Sequence, residues 1–189
     1  KEKRKYLTHS QHDMNIGCDI RGFDQNIIDC PENSLILGNL QSEKYFYHNK
    51  SEIKKWLEVK QEFDSYEFSD DNLCVINFRG TEYYGNSELF LNKLYWKNAI
   101  SIMRKINSKM KFVVITEDVF LAKSFFKDFD CFHFDIAKDY VSIKNAKYLI
   151  LSNSSFAFFP AWTSDILDFL IAPKYWARHN VSNGYWGSF

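Results

Sequence analysis

The chain is poor in the residues that interrupt structure. Among 189 residues there are only 7 glycines and 3 prolines, against 46% hydrophobic residues. That balance excludes a linker-like or disordered chain and allows one good-sized folded domain, or one domain plus a fragment of a second. Cysteine is scarce too. Cys18, Cys30, Cys74 and Cys131 form no CxxC pair and no dense framework, which argues against a zinc site or a disulfide scaffold and for free thiols in a reducing compartment. No charge of one sign dominates: 24 Lys and Arg balance 24 Asp and Glu. Nothing global therefore attracts nucleic acid or an acidic membrane, although a local positive spot can still hold a small anion. No stretch approaches the roughly 18 apolar residues of a membrane span. The opening KEKRKYLTHS has neither an apolar signal core nor an initial Met, so the chain is expected to be a piece of something longer. GxGxxG, GxxxxGKS, GxSxG and HExxH are all missing, which removes the dinucleotide fingerprint, the Walker site, the nucleophile elbow and the zincin helix.

What is abundant is aromatic: 18 Phe, 11 Tyr and 5 Trp, most of it expected in the core. Residues 1–34 are polar and irregular and read as loop. SLILGNLQ (Ser34 to Gln41) reads as a short strand and turn, followed by a helix that Ser51 would cap, with Ile53, Trp56, Leu57 and Lys60 as its inner stripe. From Asn72 the texture changes to apolar runs alternating with helical periods. LCVINF (73–78), MKFVVIT (110–116), CFHFD (131–135), YLILS (148–152) and FLIAP (169–173) read as strands. Between them lie a long helix with Leu91, Leu94, Tyr95, Asn98, Ile102 and Ile106 near a 3.6-residue period, then DVFLAKSFFKDF, DYVSIKNAK and a Pro160-containing helix. Unbroken apolar strands alternating with helices predict an α/β fold whose parallel sheet is covered on both faces. Ligands in such folds sit beyond the carboxyl ends of the strands. Three polar clusters fall there: NFRGTEY, ITEDVF and SNSSF.

Each cluster has a structural and a functional reading. Arg79 is either an ion-paired surface residue or a fork of donors for phosphate oxygens. Glu82 is placed to hold Arg79 in position, with direct proton transfer as the other role. Asn77 can satisfy the neighbouring strand end. Glu117 and Asp118, as paired carboxylates, suggest metal or acid–base chemistry, whereas the structural reading makes Asp118 a helix cap and turns Glu117 to water. If a nucleotide binds, a carboxylate here can accept from guanine. Ser154 and Ser155 can cap the last helix and leave its first amides for a phosphate; Phe156, Phe158 and Phe159 are expected to anchor that helix. His9, His12, His48, His133 and His179 show no metal-ligand spacing and read as structural or exposed, with His48 kept as a candidate and Asp118 with His133 as the pair a hydrolase would use.

NFRGTEY resembles the H-x-R-x-G-D-Y segment of the α-1,2-fucosyltransferase family of inverting GT-B glycosyltransferases. Asn77 stands at the histidine, Thr81 at the glycine and Glu82 at the aspartate. VVITED is similar to that family's strand ending in Ser-Asp-Asp. NSSFAFFPAW (Asn153 to Trp162) is close to its Asn-Ser-Ser-Phe-Ser-Trp-Trp-x-Ala-Trp. Asp139 with the following helix, IAPKYW and GNLQSEKYF fit its order. The resemblance covers residues 36–176. It implies a Rossmann-like donor-binding half of a GT-B enzyme, residues 71–189, preceded by a connector and partial N-terminal region at 1–70. It implies transfer of fucose from GDP-fucose to a glycan hydroxyl (galactoside α-1,2-fucosyltransferase-like), with no cofactor and no metal. Arg79 and Glu82 would be catalytic. Asn77, Arg79, Asp118, Asn153, Ser154, Ser155 and Phe156 would bind the donor. The implied partners are a GDP-sugar and a glycan or lipid-linked glycan acceptor in surface polysaccharide synthesis. The implied place is the cytoplasm, with peripheral contact at the inner membrane face. The aromatic tail KYWARHNVSNGYWGSF reads as a packed C-terminus, or else as a contact for acceptor, partner or bilayer. The alternative is a non-catalytic nucleotide- or glycan-binding subunit.

Overall fold

The computed structural model describes the chain at residues 7–10, 12–13, 18–19, 23–37, 42–87 and 89–174. The turn expected at Gly38 to Gln41 and the tail from Tyr175 lie outside the described residues. Two compact units are present, and the described residues up to Asn49 belong to the first. There β1 (Leu7–Ser10), β2 (His12–Asp13), β3 (Cys18–Asp19), α1 (Gln25–Ile28) and β4 (Ser34–Leu37) follow in order. β1 pairs parallel with β4, and β2 antiparallel with β3. Asp24 caps α1 by accepting from the Asn26 amide.

The second unit, Lys50–Lys174, carries the alternation read from the sequence. It runs α2 (Lys50–Trp56), β5 (Leu73–Phe78), α3 (Lys93–Ile106), β6 (Lys111–Thr116), α4 (Val119–Phe125), β7 (Asp130–Phe132), α5 (Ile136–Lys144), β8 (Tyr148–Ile150), α6 (Ser155–Thr163) and β9 (Phe169–Ile171). The strands form one five-stranded sheet in the order β7-β6-β5-β8-β9, with every pair parallel. The class is α/β with a parallel, Rossmann-like sheet, as the apolar runs predict.

The strand period of two divides the core cleanly. Cys74, Ile76 and Phe78 of β5 face one way, into a cluster with Trp96, Ala99 and Met103 of α3 and Phe126 after α4. Val75 faces the other way, with Val113 and Ile115 of β6, Leu149 of β8, Ile143 of α5 and Ala157 of α6. Each fully buried aliphatic side chain contributes about 1.5–3 kcal/mol. By the same parity Asn77 faces the α5/α6 side, at the carboxyl end of β5.

Several helix readings are corrected. α2 begins at Lys50, so Ser51 lies inside it, and Trp56 is 72% exposed rather than on an inner stripe. α3 starts at Lys93 under the cap of Asn92, whose side chain accepts from the Tyr95 amide, so Leu91 lies before the helix. It buries Trp96, Ala99 and Met103, while Leu94, Ile102 and Ile106 are exposed. Both stripes have helical period; the Trp96 ring wins because it packs against Phe78 and Phe126. α5 begins at Ile136 rather than Asp139, because Asp135 accepts from the Lys138 amide.

Candidate functional site

The chain runs outward from β5 to β6 and β7, then returns to the other side of β5 to lay down β8 and β9. The order therefore reverses between β5 and β8. The connections leaving their carboxyl ends diverge there and open a crevice, the usual ligand position in such sheets. The loop after β5 carries Arg79. The loop after β8 carries Ser152, Asn153 and Ser154.

The small polar residues after β8 fasten these two loops together. Ser152 donates from its amide to the Asn77 carbonyl (3.0 Å) and from Oγ to Asn77 Oδ1 (2.7 Å). Asn153 Nδ2 donates to the Leu89 carbonyl at 2.9 Å, and Tyr95 donates from its hydroxyl to the Leu151 carbonyl at 2.6 Å. Tyr83 donates to the Asn153 carbonyl at 3.4 Å. Asn77, Ser152 and Asn153 are all buried, so these bonds engage groups that would otherwise be costly to desolvate.

Beside this seam is a cavity of about 280 Å³, lined by Asn77, Arg79, Ile115, Thr116, Glu117, His133, Ile136, Asp139, Ser154 and Phe156. Arg79 forms an ion pair with Glu82, and its Nη1 lies 3.5 Å from Glu117 Oε1. Partial burial works against its charge, but the Glu82 hydrogen bond and the nearby Glu117 outweigh that and hold the guanidinium more firmly protonated. Its carbon centre lies 5.7 Å from the Tyr83 ring centroid. Glu82 is held below the ordinary carboxylate range by its own backbone N–H and by Arg79. Glu117 does not simply face water: its Oε1 accepts from the Gly80 amide and from Thr81 Oγ1, each at 3.1 Å. Gly80 sits close against this wall: a Cβ would stand 3.0 Å from Asp118 Cβ and 3.1 Å from Leu121 Cδ2, so those side chains would have to shift.

Asp118 caps α4, with Oδ1 accepting from the Leu121 amide at 2.9 Å. At α6 the cap position is Ser154, whose side chain makes no capping bond. The first amides of that nine-residue helix are therefore not covered by its own hydroxyl. Ser155 is exposed, and Phe156, 36% exposed at the cavity edge, packs its ring edge-on against Tyr140 of α5 at 6.1 Å between centroids.

Of the site residues read from the sequence, Asn77, Arg79, Ser154 and Phe156 meet in the cavity wall. Glu82 backs Arg79 from outside, Asp118 lies behind Gly80, and Asn153 belongs to the loop seam. Sequence reasoning missed the pairing of His133 with Asp139. Asp139 is 7% exposed; its Oδ1 accepts from the Phe134 amide at 3.0 Å and its Oδ2 meets His133 Nδ1 at 2.9 Å. The available signal was an acidic residue six positions after a histidine, in the first turn of a helix. His48 is exposed in the turn Tyr47–Asn49. A larger hollow of about 670 Å³ runs along α3 and the end of α4 under a lysine-rich rim. It lies away from the strand ends and holds none of the residues discussed above as site candidates.

Among the described residues no cluster of His, Cys, Asp and Glu is arranged to hold a metal, and no helix is long and apolar enough to cross a membrane. No family model matches the chain. Over 168 residues the chain is 24% identical to an alpha-1,2-colitosyltransferase of Escherichia coli, a match covering 79% of this chain and 58% of that protein. The chain thus spans less than two thirds of the length of that relative.

Proposed function

We propose that this chain is the donor-binding part of an inverting glycosyltransferase that moves a sugar from a GDP donor to a glycan hydroxyl. The carrying observation is that Arg79 and the uncapped start of α6 line one cavity at the crevice between β5 and β8. The similarity to a colitosyltransferase supports a glycosyl transfer and a nucleotide-sugar donor. Fucose is the proposed sugar, with colitose, named for that relative, as the competing candidate.

In this reading the acceptor oxygen attacks the anomeric carbon as the bond to the diphosphate breaks. The electron pair leaves with the diphosphate, and a base takes the acceptor proton. The Arg79 guanidinium and the first amides of α6 stabilise the charge that grows on the leaving group. Glu82 and Glu117 fix the direction of the guanidinium, and Asn77 and Asn153 hold the loops that carry it. Asp118 spends Oδ1 on its cap and offers its other oxygen to guanine. The reaction so written needs no metal or cofactor. The compact unit 50–174, which holds the whole cavity wall, would form the donor domain, a boundary earlier than the residue 71 expected from the resemblance. The acceptor, a glycan or lipid-linked glycan, and work at the cytoplasmic membrane face belong to the same proposal.

Calorimetry with GDP, UDP and ADP tests it. GDP should bind tightest, and Arg79→Ala should weaken it by about 10- to 100-fold, the loss of a charge-assisted contact to phosphate. Equal binding of all three nucleotides, or an unchanged affinity in the variant, would sink the reading. A second reading, a non-catalytic binding subunit, is favoured by Asn77 standing where the resembling segment has histidine. Transfer of sugar from GDP-fucose to an acceptor would eliminate it.

A further inference from the structure

The cavity has an electrostatic imbalance. Its wall carries one guanidinium, Arg79, and two carboxylates, Glu117 and Asp139, and Glu82 adds a third carboxylate on the outer side of Arg79. A diphosphate brings further negative charge into a partly buried space, where unbalanced charge is costly. The other lining groups, Asn77, Thr116, Ser154, Ile115, Ile136 and Phe156, have no charge to offer. Lys138 of α5 is engaged by Glu67 at 3.0 Å and lies over the Phe134 ring at 4.0 Å. Asp135 is occupied as the α5 cap.

One lining group is a histidine, whose ring can be a neutral acceptor or a cationic donor. His133 follows β7 and is half exposed, with Nδ1 at 2.9 Å from the buried Asp139 carboxylate. An ionised carboxylate only accepts, so Nδ1 carries a proton and Nε2 holds the lone pair of the neutral ring. Asp139 is itself fixed by the Phe134 amide, so the ring is held in orientation. Protonation at Nε2 converts that acceptor into a cationic donor without moving the ring.

We propose that His133, held by Asp139, takes up a proton when the donor binds and faces the diphosphate as a second cation beside Arg79. The inference rests on the donor-binding reading and adds to it a ligand and a pH dependence. The proton comes from solvent and adds to the Nε2 lone pair; no other bond changes. Protonation favours binding, so affinity is greatest where His133 is charged and declines as it loses its proton.

The test is calorimetry of the chain with GDP-fucose, whose diphosphate is esterified at both ends and does not itself titrate near neutrality. In two buffers of different ionisation heat the apparent binding heat should differ, reporting proton uptake. Affinity should rise by about 3- to 10-fold as the pH is lowered from about 8 to about 6. His133→Gln, checked for folding by circular dichroism, should abolish both the buffer dependence and the pH slope. Asp139→Asn removes the carboxylate that favours the imidazolium and should move the slope to lower pH. Binding with a buffer-independent heat in the wild type, or unchanged proton uptake in His133→Gln, overturns the inference while leaving the donor-binding reading standing. No binding of GDP-fucose at any pH overturns both.

Discussion

Thr81 holds φ at 31°, a left-handed conformation that a β-branched side chain adopts at a cost. What offsets the cost is its hydroxyl, which donates to Glu117 at 3.1 Å and helps keep that carboxylate against Arg79. Two substitutions separate the terms. Thr81→Val keeps the strain and loses the bond, and should be less stable by about 1 kcal/mol in urea denaturation. Thr81→Gly loses the bond but relieves the strain, and should stay within about 1 kcal/mol of wild type. A valine variant as stable as wild type would show that the hydroxyl holds nothing. Residues near one another in sequence were legible at this scale: Arg79 and Glu82 are three positions apart. Glu117 and His133 were not, because register brings them in. Phe78 pairs with Thr116, which sets Glu117 beside the Arg79 loop, and Ile115 pairs with Phe132, which sets His133 next in line. Strands that are apolar on both faces carry no alternation from which their register could be read.

At the scale of elements, apolar runs announced the strands, while helix faces and starts were harder. α3 is the informative case. Its apolar residues cover more than one side, so period alone does not choose the buried stripe. The aromatic cluster around Phe78 chooses it, through Trp96 and its neighbour Met103. Met103→Ala should therefore cost about 2–5 kcal/mol in equilibrium unfolding, the range for emptying a packed core position. Leu94→Ala, at a side chain 62% exposed, should change stability by less than about 0.5 kcal/mol. The reverse ranking would restore the stripe first read from the sequence. Helix starts moved for a related reason: several residues in each segment are competent caps, and packing selects among them.

For the molecule as a whole, the α/β class was legible because alternation of strand and helix leaves few architectures open. The extent of the compact unit was not. Residues 64–72 look like loop, yet Asp64 and Ser65 receive the Asn145 side-chain amide, Phe68 enters the core, and Asp71 pairs with Lys147. These ties place the segment with the sheet. Residues 50–174 expressed alone should accordingly unfold cooperatively and bind GDP within about 3-fold of the full chain, since the cavity wall lies within them. A fragment that melts without a transition would show that the unit needs the rest.

The bond from Ser152 to Asn77 joins positions 75 residues apart. During synthesis on the ribosome, β5, β6 and β7 can align while the later strands are still being made, but the seam beside the cavity cannot close until β8 has emerged and docked on β5. A nascent chain stalled before that point would carry a partly ordered sheet without the cavity, which would take shape late and abruptly.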